Sequence, residues 1–379
     1  MDFDRIIDRR TTESVKWNWY GEDVLPMWVA DMDFLSPEPV IKALQDRVEH
    51  GVFGYSFPPD GLDSAIVDHL ADRHGWQIEK KNISLVSGVV KGFTHAIYSL
   101  TSPGDGILIQ PPVYPPILKA PAATGRRCVV NELVRREDGR YGIDFDDFEA
   151  KAAEDVKLFI LCSPHNPVGK VFSKVELTRM AEICLKHDVL ICADEIHADL
   201  VFSESKHIPI ASLTDEVADI TVTYMAPSKT FNIAGLSTSF YIASNERLKN
   251  KLSQTMTMLL GHPSILGLHA ARAAYRHGRP WLEDLMNYLQ SNRDYLMEFV
   301  GREMQGIEIG LPEGTYLGWL DCRGLQLDQS PQAFFLEKAK VGLNEGRDFG
   351  LPGDGFVRIN FGCPRVLLEE GLARMKGVI

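Results

Sequence analysis

Ile220-Thr-Val-Thr-Tyr-Met-Ala-Pro-Ser-Lys-Thr-Phe-Asn-Ile-Ala-Gly-Leu236 reads as an apolar strand that breaks at Pro227 and presents Lys229. An ammonium at the end of a buried strand is costly unless it has a partner or a task. Desolvation lowers a lysine's pKa and supplies the neutral amine, the form that can bond to an aldehyde cofactor. Ser-Lys after a strand is a weak signal alone, and the residues upstream decide what it means.

From about residue 62 to 245 short apolar runs recur, at 83–87, 106–110, 128–133, 156–162, 189–193, 220–225 and 238–243. Segments of helical period, such as Ser173 to Leu185, lie between several of them. Seven strands with crossover helices predict an α/β fold with a mainly parallel sheet covered on both faces. In that architecture ligands bind beyond the carboxyl ends of the strands. Those ends are polar here: Ser87-Gly-Val-Val90, Pro111-Pro-Val-Tyr114, Ser163-Pro-His-Asn-Pro167, Asp194-Glu-Ile-His197 and Ser228-Lys229. Five such loops at one edge make one site.

The 379 residues suffice for a large domain with a smaller one attached. A net charge of -12 argues against nucleic acid and anionic membrane surfaces as partners, and so favours small-molecule chemistry. The six cysteines form no CxxC pair, and Cys162 and Cys192 sit in apolar runs, as reduced core residues of a cytoplasmic protein do. No basic start precedes an apolar stretch, and no uncharged run is long enough to span a bilayer.

Residues 1–44 form an aromatic-rich lead, centred on Pro26-Met-Trp-Val-Ala-Asp-Met-Asp-Phe34, that must wrap a body or a partner subunit. A helix start is expected at Ser36-Pro-Glu38. Gly51 to Pro59 is too rich in glycine and proline for regular structure and predicts a surface or interface loop. The division expected is 1–44 as an arm joining the small domain, 45–274 as the large domain, and 275–379 as a smaller α+β domain. The last opens with a long amphipathic helix from Pro280, carries strands near 318–321 and 356–361, and closes with a helix from Arg365.

An aldehyde-pyridine cofactor requires a lysine, an anion for its ring nitrogen, a donor to its phenolic oxygen and a phosphate cradle. Asp194 ends a buried strand, where a carboxylate is costly unless it meets a cation such as a protonated pyridine; a helix cap or metal ligand is the plainer alternative. Asn166, between two prolines, offers an amide donor, although a turn asparagine reads the same way. Gly88-Val89-Val90, opening a helix, offers backbone N–H groups to a phosphate. The fingerprints GxGxxG and GxxxxGK[ST] are absent, which disfavours dinucleotides and NTPs.

Asn166-Pro167, Asp194 and Ser228-Lys229 with Gly235, in that order and spacing, resemble the fold-type I pyridoxal-phosphate enzymes of the class I/II aminotransferase superfamily. More narrowly, Lys16-Trp17, Pro26–Phe34, Pro112-Val-Tyr-Pro-Pro116, Pro164-His-Asn-Pro-Val-Gly169, Asp194-Glu-Ile-His-Ala-Asp199, Ala226–Gly235 and Asn360-Phe-Gly-Cys-Pro-Arg365 resemble its MalY/PatB branch of cystathionine β-lyases and cysteine-S-conjugate lyases. The resemblance implies the aspartate-aminotransferase-like fold and pyridoxal 5'-phosphate. It implies that Lys229 bonds to the aldehyde, Asp194 pairs with the pyridinium, Asn166 donates to the phenolic oxygen and Tyr114 stacks on the ring. Val89, Val90 and Ser228 would hold the phosphate, joined by Tyr55 from a second subunit of a homodimer. Arg358 would fork onto the substrate α-carboxylate, with the Ala30-Asp31 backbone on its other side. One position departs from the wider superfamily: Ser237 stands where many aminotransferases carry a phosphate-binding arginine.

The implied reaction is elimination of a thiolate from Cβ of an amino acid, giving pyruvate and ammonia. An aminotransferase would share every core residue, and a non-catalytic regulatory protein could keep the fold. The residues alone do not choose between the first two. His197 and His165, beside site residues, are as consistent with orienting neighbours as with moving protons. Arg365 and Cys363 read as structural.

Overall fold

The computed structural model describes residues 1–379, apart from the side chain of Thr257. All seven apolar runs are strands of one sheet. Their order across it is Ile83–Val86, Ser239–Ile242, Thr221–Met225, Leu190–Asp194, Val156–Cys162, Gly106–Ile109 and Arg127–Val130. Neighbours pair parallel except Ser239–Ile242, which runs antiparallel to the strands on both its sides.

The strand Val156–Cys162 shows why these runs lack the alternation of a half-exposed sheet. Leu158, Ile160 and Cys162 enter one apolar cluster with Phe93 and Ile97 of the helix Val89–Leu100. Phe159 and Leu161 enter another, with Leu177 and Met180 of the helix Lys174–Lys186. Side chains point alternately to the two faces of a strand, and helices cover both faces here, so six of the seven positions are apolar and buried, with exposed Lys157 near the start as the exception. Ser173 begins the second helix with a capping box to Glu176.

The helix Val89–Leu100 lies close to the sheet because of a glycine. A Cβ on Gly92 would sit 2.4 Å from Cε1 of Tyr224, a fully buried ring. Gly92→Ala is therefore expected to lose about 1–3 kcal/mol by overpacking, against about 1 kcal/mol gained in helix propensity. A thermal unfolding midpoint lowered by a few degrees checks this; an unchanged or raised midpoint would show that the helix can lift off the ring.

The run expected at 128–133 stops early. Its strand ends at Val130, and Leu133–Arg135 starts a separate hairpin with Tyr141–Ile143. Buried Asn131 makes the break, donating to Asp144 O and Asp147 while accepting from Gln110.

Four further strands, Glu308–Ile309, Leu317–Asp321, Phe356–Asn360 and Asn344–Glu345, form an antiparallel sheet. The helices Arg279–Glu303 and Arg365–Lys376 share an apolar cluster with it. Leu25–Pro26 of the N-terminal lead pairs parallel with Val341–Gly342. The helix Ile265–His277 runs through position 274/275 and ends at Gly278, where a Cβ would meet Ala274 O and the Phe231 ring, both at 2.5 Å. All six cysteines are free; five are buried, and Cys128 is exposed. Among the described residues no helix is long and apolar enough to cross a membrane.

Candidate active site

The five polar loops open at the carboxyl ends of their strands, and two further segments close over them. One is the strap Trp28–Asp33 of the N-terminal lead. The other is the small-sheet strand Phe356–Asn360, which carries Arg358. The strap is held by its carbonyls and by two carboxylates. Trp28 O accepts from Arg358 (2.9 Å), Val29 O and Asp31 O from Asn360 (2.5 and 2.6 Å), and Ala30 O from both Lys229 Nζ (2.7 Å) and the Tyr316 hydroxyl (2.8 Å). Asp31 N–H turns back onto Val29 O, and the Asp31 carboxylate takes a two-pronged contact from Arg9 at 3.0 and 2.7 Å. Lys16 and Trp17 both donate to buried Asp33, at 2.6 and 2.8 Å.

Lys229 lies in the one-turn helix Pro227–Thr230, directly after the strand Thr221–Met225. Desolvation lowers its pKa to about 8, with the charge of Arg358 acting in the same direction and Asp31 and Asp194 opposing it. Near neutral pH roughly a tenth of such a lysine is neutral, far more than of an ordinary one, and the neutral amine is the form that attacks an aldehyde.

Two opposite charges in this cleft are left unmatched. The Asp194 carboxylate is buried, accepts one hydrogen bond from Ile196 N–H at 3.2 Å and joins no ion pair among the described residues. Burial pushes its pKa up to about 7, and Ile196 N–H and the charge of Lys229 offset this only in part. The buried guanidinium of Arg358 meets neutral groups only: Asn166 Oδ1 at 3.0 Å, Trp28 O, Asn344 Oδ1 at 2.5 Å, and the face of Phe349. Its Nε has no partner among the described residues, and desolvation brings its pKa down to about 10. Buried charges are normally paired. A ligand carrying a cation for Asp194 and a carboxylate for Arg358 completes both.

The surrounding residues fit the same ligand. Asn166 gives its oxygen to Arg358, so its amide nitrogen is the end that remains to donate. Tyr114 is half-buried, its hydroxyl pKa raised by desolvation and then by the charge of Asp194. Gly88, at φ 114, has open space where a Cβ would stand. It begins the helix whose first N–H groups, Val89 and Val90 among them, lack intrahelical partners and so suit a phosphate. Ser228 precedes Lys229 in the one-turn helix. Tyr55 stands apart, fully exposed on the irregular segment 51–59. Ser237 is exposed and left-handed at φ 46.

His197 is buried with Nδ1 unpartnered among the described residues, and burial, followed by the charges of Lys229 and Arg358, brings its pKa down to about 3. A neutral ring orients neighbours more readily than it carries charge. His165 spans Cys162 O and Pro112 O, tying two loops of the site together. Arg365 opens the last helix and bonds Asn292 and Ser291, and Cys363 is buried. Sequence reasoning assigned no role to Tyr316, Asn344, Asn360 or Asn232; the hints were Asn360 at the head of the quoted Asn360–Arg365 motif and Asn232 inside the quoted Ala226–Gly235 motif.

The Asp194 carboxyl gives a pH test. Its folded value near 7 lies above the ordinary value of about 4. Without cofactor the folded chain therefore binds more protons than the unfolded chain between these limits, and stability falls as pH rises through that window. Asp194→Asn is expected to unfold at higher urea than wild type at pH 7 and to converge with it near pH 4. An equal difference at both pH values would mean that the carboxylate is already ionised and paired.

The comparisons agree with this geometry. The family model Aminotransferase class I and II matches residues 22–375. Cystathionine beta-lyase PatB of Bacillus subtilis (strain 168) is 41% identical over 387 residues, covering all of both chains. Cystalysin of Treponema denticola, whose structure contains a pyridoxal 5'-phosphate cofactor, superposes with a TM-score of 0.96 at 34% identity, covering 100% of this chain and 98% of that one. The PLP-bound C-S lyase of Staphylococcus hominis gives a TM-score of 0.94 at 34% identity, with the same coverages. Matched over nearly its whole length, with the PLP-dependent aminotransferase-like fold, the chain belongs to the class I and II aminotransferase family.

Proposed function

We propose that the chain is a pyridoxal-phosphate-dependent carbon–sulfur β-lyase that cleaves L-cystathionine or related cysteine S-conjugates to pyruvate, ammonia and a thiol. The observation that carries the reading is the pair of unmatched buried charges, Asp194 and Arg358, in the cleft that Lys229 enters. The choice of elimination over amino transfer is supported by full-length relatives that bear lyase names.

When bound, the cofactor supplies an electron sink conjugated to the substrate's Cα, so that a proton on Cα and a thiolate on Cβ can both leave. Asp194 would meet the ring nitrogen and keep it protonated, Asn166 Nδ2 would donate to the phenolic oxygen, and Tyr114 would pack against the ring. The N–H groups of Val89 and Val90, with the Ser228 hydroxyl, would hold the phosphate without a guanidinium at position 237. Arg358 exchanges Trp28 O and Asn344 Oδ1 for the substrate carboxylate, with the Ala30-Asp31 backbone on the other side. That grip fixes which bond at Cα is aligned for cleavage. Lys229 Nζ leaves Ala30 O, which keeps Tyr316 as donor, and as a free amine it takes the Cα proton.

The working form in this reading is a cytoplasmic homodimer. Exposed Val52, Phe53, Tyr55 and Phe57 then lie against a second copy, and Tyr55 serves that copy's phosphate. Residues 1–44 work with the small domain of 275–379, against a large domain of 45–274.

Cofactor fate after one turnover tests the reading. The protein is mixed with L-cystathionine without a keto acid, denatured, and its cofactor separated by chromatography. Recovery as the aldehyde supports elimination; recovery as the amine, restored by a keto acid, would make the chain an aminotransferase.

A further inference from the structure

A buried polar cluster around Asp199 takes no part in the proposed chemistry. Asp199 is buried, and its Oδ1 lies 2.9 Å from Nε2 of His69 and 3.1 Å from Nε2 of His74. Arg73 Nε stands 3.9 Å from the same oxygen. Its Oδ2 accepts from the Thr230 hydroxyl at 3.0 Å. Burial works to raise the pKa of this carboxyl, and the two histidines outweigh it and hold it well below the ordinary range. The two ring nitrogens and a carboxylate oxygen lie within 4.8 Å of one another, the spacing of metal ligands. Yet the carboxylate already has partners in His69 and His74, with the Arg73 guanidinium nearby, all from the helix Leu62–His74, so the cluster acts as a strut between that helix and the neighbour of Lys229.

The strut matters because of what it holds. Thr230 ends the one-turn helix that carries Lys229, and a single turn has little stability of its own. Its orientation is set by its tethers. Just beyond it Asn232, left-handed at φ 55, accepts from Met32 N–H and donates to Met32 O and Phe34 O. Thr230 and Asn232 thus pin the turn to two separate parts of the chain.

We propose that Asp199 is a positioning residue for Lys229: by holding the Thr230 hydroxyl against His69 and His74 it fixes the turn that aims Lys229 Nζ into the cleft. The inference rests on the reading of Lys229 as the residue that bonds to pyridoxal phosphate. Thr230→Val keeps the side-chain shape and removes the hydroxyl, and Thr230→Ser returns it. Wild type, both variants and Asp199→Asn are mixed with pyridoxal phosphate and quenched with borohydride over time. Pyridoxylation of Lys229 is then quantified by mass spectrometry, with the thermal midpoint of each cofactor-free protein measured alongside. Loss of the buried hydrogen bond and of alignment predicts attachment slowed about tenfold to a hundredfold in Thr230→Val and Asp199→Asn, with Thr230→Ser near wild type. Attachment at the wild-type rate in folded Thr230→Val would overturn the proposal, whatever its thermal midpoint. If Asp199→Asn does not fold, the two Thr230 variants decide alone. No pyridoxylated Lys229 in wild type would instead overturn the reading of Lys229 itself.

Discussion

Lys229→Ala is expected to abolish thiol and pyruvate release. The side chain has two tasks in the account, covalent attachment of the cofactor and transfer of the Cα proton, and both need an amine at this position. Base catalysis alone is worth about 10²–10⁴-fold, so with attachment lost as well the rate should fall by more than about 10⁴-fold. The variant should fold, because the hydrogen bond it loses to Ala30 O leaves that carbonyl still bonded to Tyr316. Removing an ammonium whose pKa is lowered by desolvation should also relieve a strain on the fold at neutral pH. The checks are pyruvate assay, borohydride trapping and thermal unfolding on one preparation. Residual activity within tenfold of wild type would show that another group carries out the proton transfer.

Arg358→Lys should be the second most damaging change. The guanidinium reaches Asn166, Trp28 O and Asn344 at once, and it is the cation available to a substrate carboxylate beside Lys229. A lysine keeps the charge and cannot reproduce the planar fork. Loss of a buried charge-assisted contact costs about 2–5 kcal/mol, so kcat/KM should fall about 30- to several-thousand-fold. Most of the loss should sit in KM if the arginine mainly binds. An additional fall in kcat is expected because the carboxylate grip also orients the Cα–H bond. An unchanged KM with amino acids, but weakened cofactor binding, would mean that Arg358 serves Asn166 rather than the substrate.

The large sheet was legible because its strands are covered on both faces. Runs such as Leu158–Cys162 are apolar without interruption, and the polar residues that follow five of the seven runs mark the site edge. Asp194 and Lys229 stood out for the same reason, as charges placed where a buried strand stops. The extent of the run near 128–133 was not legible, because Asn131 ends it through side-chain bonds to Gln110 and Asp147 rather than by a glycine or proline. Tyr316, Asn344 and Asn360 were hidden for a different reason. Tyr316 and Asn360 bond backbone carbonyls of the strap some three hundred positions earlier in the chain, and such acceptors leave no side-chain pattern. Asp199 lay inside a quoted motif, but its link to Thr230 appears only once the helix Leu62–His74 is packed against both.

The most direct test of the central claim is the product ratio from L-cystathionine, with the purified protein, pyridoxal phosphate and no keto acid. Pyruvate, ammonia and thiol are measured together over many turnovers, beside Lys229→Ala. The account predicts the three in equal amounts from wild type and none above background from the variant. Consumption of cystathionine only when a keto acid is supplied, with no free thiol, would contradict it.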